Sequence, residues 1–304
     1  KGIGLQFRPN RSMTQIVLLG HSGFLGKALN SSFLSDDRFL PPVCFSSKEA
    51  DLTEQKCVET ISEKCNEDTV IVVCAAIKSD EGNSIDSFHA TIMMSENLAR
   101  LASAGKFRKF IYISSNAVYG VHAKHDLISE ETPLLPDTYY SLSKVCTEKI
   151  LQITLADSLE KLLILRPSTI YGPFERVVPQ TPSGFLRRFL NDEPITLWGE
   201  GSELREFVFI ADMVNIVKAM TISDFHGTMN VGGGIPHSYK DSLDIISNVV
   251  GKKVPFKSKP RTLDPVDKVY DLALFNKLLP NFNFTSLKDG IRITYEKMIQ
   301  GDCL

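Results

Sequence analysis

A chain of 304 residues is longer than one hydrophobic core usually serves and suits two domains, each able to fold alone without disulfides or a metal. Hydrophobic residues at 43% and charged residues at 23% exclude a disordered or collagen-like chain. With 34 Lys and Arg against 36 Asp and Glu, net −2, there is no field to hold a polyanion; nucleic acid is not expected as a partner, while a local basic pocket for a small phosphate ligand stays open.

Residues 1–12 are polar and patternless and read as a tail outside the fold. Residues 15–19 are nearly all apolar and end at Gly20, as a parallel strand covered on both faces does. A helix pattern over 24–34 follows, then a short strand at 43–45, a helix near 54–65 and a strand over 70–75. A helix over 84–104 leads to a strand at 110–113; residues 139–157 read as helix and 162–165 as strand. Strands alternating with helices at this rhythm predict right-handed βαβ units, hence an α/β fold built on a doubly wound parallel sheet.

After Arg166-Pro167 the texture changes: proline and glycine become frequent and the patterns shorten, so a second, smaller, mixed α/β domain is expected to begin near Tyr171. Residues 207–210 and 229–231 read as strands returning to the first domain. The expected division is 13–170 with 206–232 for the first domain, and 171–205 with 233–304 for the second. Cys44, Cys57, Cys65, Cys74, Cys146 and Cys303 form no Cys-x-x-Cys pair and have no His at metal-ligand spacing. They read as free thiols of a cytoplasmic protein, with no metal site. No apolar run approaches the roughly 20 residues that span a bilayer, and no signal peptide is evident, so no membrane contact is expected.

Three constellations carry chemistry. Gly20-His-Ser-Gly23-Phe-Leu-Gly26 lies between the first strand and first helix, where glycine allows left-handed torsions and lets a pyrophosphate reach the N–H groups of a helix N-terminus. A plain structural turn is the competing reading; the position directly after the first strand favours the ligand. Tyr140-x-x-x-Lys144 sits on a helix at spacing i, i+4, so an ammonium can lie near a phenol whose pKa is ordinarily about 10 and make it a usable proton donor. Ser114-Ser115-Asn116 ends the strand at 110–113, at the crevice where ligands of open parallel sheets bind.

In this order, the glycine turn, Ser115, Tyr140 and Lys144 resemble the extended short-chain dehydrogenase/reductase family, specifically its nucleotide-sugar epimerase, dehydratase and reductase branch. Asp51-Leu-Thr53, Cys74-Ala-Ala76, the stretches 166–173 and 199–207, Asp212 and Asn230-Val-Gly-Gly-Gly234 extend the likeness over almost the whole chain. The resemblance implies a Rossmann first domain for the dinucleotide and a second domain for a nucleotide-diphosphate sugar. It implies that Ser115 bonds the reacting sugar oxygen, that Tyr140 exchanges its proton, and that Lys144 holds the nicotinamide ribose and depresses the tyrosine pKa. Gly20, Ser22, Gly23, Phe24, Leu25 and Gly26 would cradle the pyrophosphate, Asp51 and Leu52 would flank the adenine, and Ala75, Ala76 and Pro167 would also touch the dinucleotide. Asn116 would face the substrate, and Arg205 and Arg261 would pair with its diphosphate.

Departures from the branch narrow the chemistry. Dehydratases carry an Asp-Glu pair after the catalytic serine or threonine, whereas Asn116 and Ala117 stand here, so dehydration is not expected. The second strand ends in Ser46-Ser-Lys48 with no acid for a ribose 2′-hydroxyl, which suits the 2′-phosphate of NADP better than NAD, although Glu49 is close by. The nearest likeness within the branch is to GDP-fucose synthase-type reductases, on residues 16–21, 51–54, Met93-Met94 with Glu96-Asn97, and 198–207. The cysteine and histidine with which that type epimerises are absent: Asn116 takes the first place and 173–182 holds no histidine. The expected activity is therefore NAD(P)-dependent reduction of a 4-keto nucleotide sugar by a homodimer. The alternatives are a 4-epimerase with tightly held NAD and a dinucleotide sensor without catalysis.

Overall fold

The computed structural model describes residues 13–77, 83–175, 181–262 and 264–301; the tail at 1–12 and Cys303 lie outside them. The first half alternates β1 (Ile16–Leu19), α1 (Phe24–Leu34), β2 (Val43–Phe45), α2 (Cys57–Ser62), β3 (Val70–Val73), α3 (Ile85–Ser103), β4 (Lys109–Ile113), α4 (Tyr139–Thr154) and β5 (Leu162–Pro167). There follow β6 (Thr169–Tyr171), α5 (Pro182–Leu190), β7 (Thr196–Trp198), β8 (Leu204–Arg205), β9 (Phe207–Phe209), α6 (Ile210–Ile222) and β10 (Gly227–Val231). Last come β11 (His237–Ser238), α7 (Tyr239–Val250), β12 (Lys257–Lys259), α8 (Ala273–Leu278) and α9 (Leu287–Ile299).

Six strands form one parallel sheet in the order β10-β5-β4-β3-β1-β2. Its strands are mostly apolar because alternate residues serve two separate cores, with Lys109, Arg166 and Asn230 as buried polar exceptions. Ile16, Leu18, Val70 and Val72 pack with Leu25, Leu29 and Phe33 of α1 and with Met213, Ile216 and Val217 of α6. Val17, Leu19, Ile71 and Val73 pack on the other face with Leu98 and Leu101 of α3 and Leu151 of α4. Chain order reverses between β1 and β3, which opens a crevice at their carboxyl ends.

The two returning segments behave differently. Residues 229–231 fall within β10, which lines up beside β5 at the edge of the large sheet. Residues 207–209 pair instead with β6, outside that sheet, and Ile210 already begins α6. α6 is tied to the sheet by the buried Lys109, whose ammonium donates to Met220 O at 2.8 Å and Ser223 O at 2.7 Å. Two further two-stranded pairs, β8 with β11 and β7 with β12, lie outside the large sheet. The five described cysteines are unpaired, and among the described residues no helix is long and apolar enough to cross a membrane.

Candidate active site

The glycine turn separates what the fold needs from what a ligand needs. Gly20 has φ +89°, and a Cβ there would lie 2.5 Å from Ala75 N; a Cβ on Gly26 would lie 2.1 Å from Gly20 O. Both positions are closed to any side chain. Gly23 has an ordinary φ of −75°, and its Cβ would meet nothing nearer than Gly20 O at 3.4 Å. The protein itself has no need of glycine there. Gly23 is the N-cap of α1, no side chain caps the helix and no acidic residue stands in its first turn, so its amides remain for an anion. A pyrophosphate fits that cradle. Leu25 is buried in the core, so only its backbone can serve a ligand. Gly26→Ala is expected to lose roughly 1–3 kcal/mol through overpacking, whereas Gly23→Ala should keep its melting temperature yet lose most of the thermal shift given by NAD. Paired melts with and without dinucleotide check both.

A cavity of about 280 Å³ lies over the carboxyl ends of β1 and β3. Of the residues assigned to the dinucleotide, Gly20, Ser22, Gly23, Ser46, Ser47, Asp51, Leu52, Ala75 and Ala76 line it, and Cys74, Ile77 and Met94 are also in its walls. Phe24, Lys48 and Pro167 are not in its walls; Pro167 is buried in β5 opposite Val231. Asp51 accepts from Thr53 N at 2.9 Å, and Leu52 O accepts from Asn97 Nδ2 at 2.8 Å, which ties this segment to α3. At the end of β2 the Ser46 hydroxyl is not free: it and the Ser46 N–H both donate to the Glu49 carboxylate, the amide at 2.7 Å.

A narrow second cavity shares Ala75, Ala76, Ile77 and Met94 with the first and reaches Tyr112, Tyr140 and Lys144. The structure brings Ser115, Tyr140 and Lys144 together here. Thr138 caps α4 in a reciprocal box with Ser141 and so fixes where the first turn, with Tyr140, begins. Ser115 Oγ accepts from Ala117 N at 3.1 Å, starting a 3-10 turn at Asn116–Tyr119, and its hydroxyl stands beside the Tyr140 phenol. Burial pushes the Tyr140 phenol above its ordinary range and the Ser115 contact pulls it back, so the phenol is protonated at neutral pH, as a donor must be. Lys144 Nζ donates to Ile113 O at 2.9 Å and lies 4.8 Å from the Tyr112 ring centre and 5.9 Å from that of Tyr140. Burial pushes its pKa down to about 8.

Behind these residues runs a buried polar chain. Ser114 Oγ donates to Glu148 Oε1 at 2.5 Å, and Arg166 grips the same carboxylate through Nε at 3.0 Å and Nη2 at 2.6 Å. Arg166 Nη1 donates to Tyr119 Oη at 2.8 Å, which donates to Asn230 Oδ1 at 2.7 Å. The chain thus joins the end of β4, α4, β5, the 3-10 turn and β10 behind Ser115, Tyr140 and Lys144. Glu148 follows Lys144 by one helical turn, the one sign in the sequence that it could have been sought here.

The second region meets the site through residues 264–271. Asn116 Nδ2 donates to Tyr270 Oη at 2.7 Å. Arg205 Nη1 donates to Leu204 O at 2.8 Å and Val266 O at 2.5 Å, with its guanidinium 5.4 Å from the centre of the Tyr239 ring. Arg261 lies against Gly199 and forms an ion pair with the buried Glu203. Neither arginine is hydrogen-bonded to Ser115, Tyr140 or Lys144 among the described residues; Arg205 joins them only by way of the 264–271 segment. The buried Glu206 accepts from Tyr270 N, Gly233 N and Gly234 N.

Known proteins resemble this chain in sequence family and in fold. A family model described as the NAD dependent epimerase/dehydratase family matches residues 16–232. YtcB of Bacillus subtilis (strain 168), described as an uncharacterized UDP-glucose epimerase, is 26% identical over 305 residues, covering 91% of this chain and 95% of its own. GDP-L-fucose synthase of Escherichia coli (strain K12) is 22% identical over 323 residues, covering 95% and 98%. The crystal structure of UDP-glucuronic acid 4-epimerase from Bacillus cereus, in complex with UDP-glucuronic acid and NAD, superposes with a TM-score of 0.74 at 23% identity, covering 94% and 99%.

Proposed function

The chain belongs to the NAD dependent epimerase/dehydratase family, and on that premise we propose that it reduces the 4-keto group of a nucleotide-diphosphate sugar. The observation that carries this reading is Tyr140 with Ser115 and Lys144 beside it, at the narrow end of a cleft whose wide end is lined by the glycine turn. The bound nicotinamide supplies the hydride. Ser115 Oγ orients the sugar oxygen, Tyr140 Oη gives its proton to it, and Lys144 holds the nicotinamide ribose. Asn116 cannot ionise, so that position supplies neither the acid for water loss nor the cysteine-type acid or base for inversion at C3 and C5, which supports reduction.

Glu49 bears on the choice of dinucleotide. The NADP preference expected from Ser46, Ser47 and Lys48 assumes free hydroxyls, but the Ser46 hydroxyl and amide hold a carboxylate. A 2′-phosphate brought to that place would meet like charge, whereas a 2′-hydroxyl could donate to it. This favours NAD and lends support to a second reading, a 4-epimerase that takes the hydride and returns it to the other face. One preparation tests these points. A reductase consumes NAD(P)H in step with product; an epimerase purifies with NAD and shows no net turnover of it. Glu49→Gln is expected to narrow the ratio of NADP to NAD dissociation constants by about tenfold, read by titrating both dinucleotides.

We also propose a homodimer through α3 and α4, where Met93, Leu142 and Ile153 are exposed at 50%, 39% and 75%. Light scattering on Leu142→Lys/Ile153→Lys, expected to run as a monomer, is the check. The unpaired thiols support a cytoplasmic location, readable by cell fractionation.

A further inference from the structure

We propose that Tyr270 is a substrate-contacting residue: its phenol, held by Asn116, donates a hydrogen bond to an oxygen of the sugar near the reacting carbon. The inference rests on the function proposed above and adds to it the group that reads the sugar.

Tyr270 stands 154 residues from Asn116 in the chain and is carried to it by the 264–271 segment. That segment is fastened on both sides of the ring. Tyr270 N donates to the Glu206 carboxylate at 2.9 Å, Ile128 N donates to Val269 O at 2.9 Å, and Asp271 N donates to Ile128 O at 2.8 Å. Lys268 Nζ donates to Gly120 O at 2.7 Å and Ala123 O at 2.6 Å, closing the segment onto the loop after the 3-10 turn. The ring packs with Val118, Tyr119 and Ile128, a small apolar cluster that a phenylalanine would fill as well. Packing therefore does not account for the hydroxyl.

The hydroxyl accepts from Asn116 Nδ2, and its own proton meets no acceptor among the described residues. A buried phenol that keeps its proton and leaves it unbonded is costly unless a ligand atom completes it. Burial pushes the phenol well above its ordinary range, so it stays a donor at any physiological pH. Asn116 Oδ1 in turn lies 3.4 Å from Ser115 Oγ. Ser115, Asn116 and Tyr270 thus form a row that starts at the proton-donating Tyr140 and leads into the second region. A sugar bound with its reacting oxygen on Ser115 extends a neighbouring hydroxyl or carbonyl oxygen along that row, within reach of Tyr270. Tyr270 contributes binding and orientation; no proton is transferred from it.

The test separates the sugar from its nucleotide. Protein loaded with NAD is titrated calorimetrically with UDP, UDP-glucose, GDP and GDP-mannose. Wild type is expected to bind at least one sugar nucleotide more tightly than the bare diphosphate. Tyr270→Phe is expected to lose about tenfold of that sugar increment while affinity for the bare diphosphate and for NAD is unchanged. A variant that keeps the full increment, or that loses the bare diphosphate equally, overturns the role of Tyr270 and leaves the proposed function standing. A wild type that binds NAD but gains nothing from either sugar overturns both. Asn116→Ala, which leaves Tyr270 in place but unheld, is the second variant should Tyr270→Phe melt early; it too should shrink the sugar increment, and an intact increment there counts against the pairing.

Discussion

Tyr140→Phe is expected to lower turnover of the sugar nucleotide by about 10²–10⁴-fold, the usual worth of a positioned proton donor, with dinucleotide binding unchanged. The ring stays in its half-buried seat and only the hydroxyl beside Ser115 is lost, so the melting temperature should hold. An unchanged turnover would remove the proposed mechanism and leave a protein that binds dinucleotide without using it. Lys144 provides a companion measurement with a defined sign. Its ammonium is complete below a pKa of about 8 and is lost above it. Dinucleotide affinity of the wild type should therefore fall as pH rises through about 8, and Lys144→Met should bind weakly with that dependence removed.

The largest loss of stability is expected from Glu148→Gln. Glu148 is fully buried and its carboxylate carries two bonds from Arg166 and one from Ser114. Removing its charge leaves a buried guanidinium without a counter-ion, which costs about 3–5 kcal/mol and lowers the melting temperature by on the order of 10 °C. Glu148→Gln combined with Arg166→Met should be less destabilised than the sum of the two single variants, because the stranded charge is gone. Additive losses would show that the pair acts independently, and denaturant titration of the four proteins decides.

The parallel sheet was legible because its inner strands are mostly apolar runs and its helices amphipathic: 24–34 and 43–45 are α1 and β2 to the residue. The helix expected near 54–65 shortens to Cys57–Ser62, since the chain before it is still turning around Asp51. Strand 207–209 forms, but which strand it joins depends on β6, a three-residue partner with no pattern of its own. Past Tyr171 the short elements are held by tertiary contacts, so local periodicity says little. The same limit applies to the site. Ser115, Tyr140 and Lys144 share one strand end and one helix and could be read together. Glu206 and Tyr270 act on residues brought near only by folding: Glu206 lies in the 199–207 stretch that carries the family likeness, but nothing there told its role, and nothing in its local sequence marks Tyr270. Ser46 shows the opposite failure: its type suggested a phosphate ligand, and a neighbour three residues on takes its hydrogen bonds.

Glu206 joins three backbone amides from two distant stretches of chain, and Cβ atoms on Gly232 and Gly233 would collide with its carboxylate and with Phe207 O respectively. Amides are common to every residue but proline, so this clasp places almost no demand on which side chains the 264–271 segment carries. At Tyr270 the side chain can therefore change while Glu206 still holds the backbone, whereas Lys268 and Asp267 hold the segment's path through their own side chains. A fold held in this way can be given a new sugar preference without first being rebuilt.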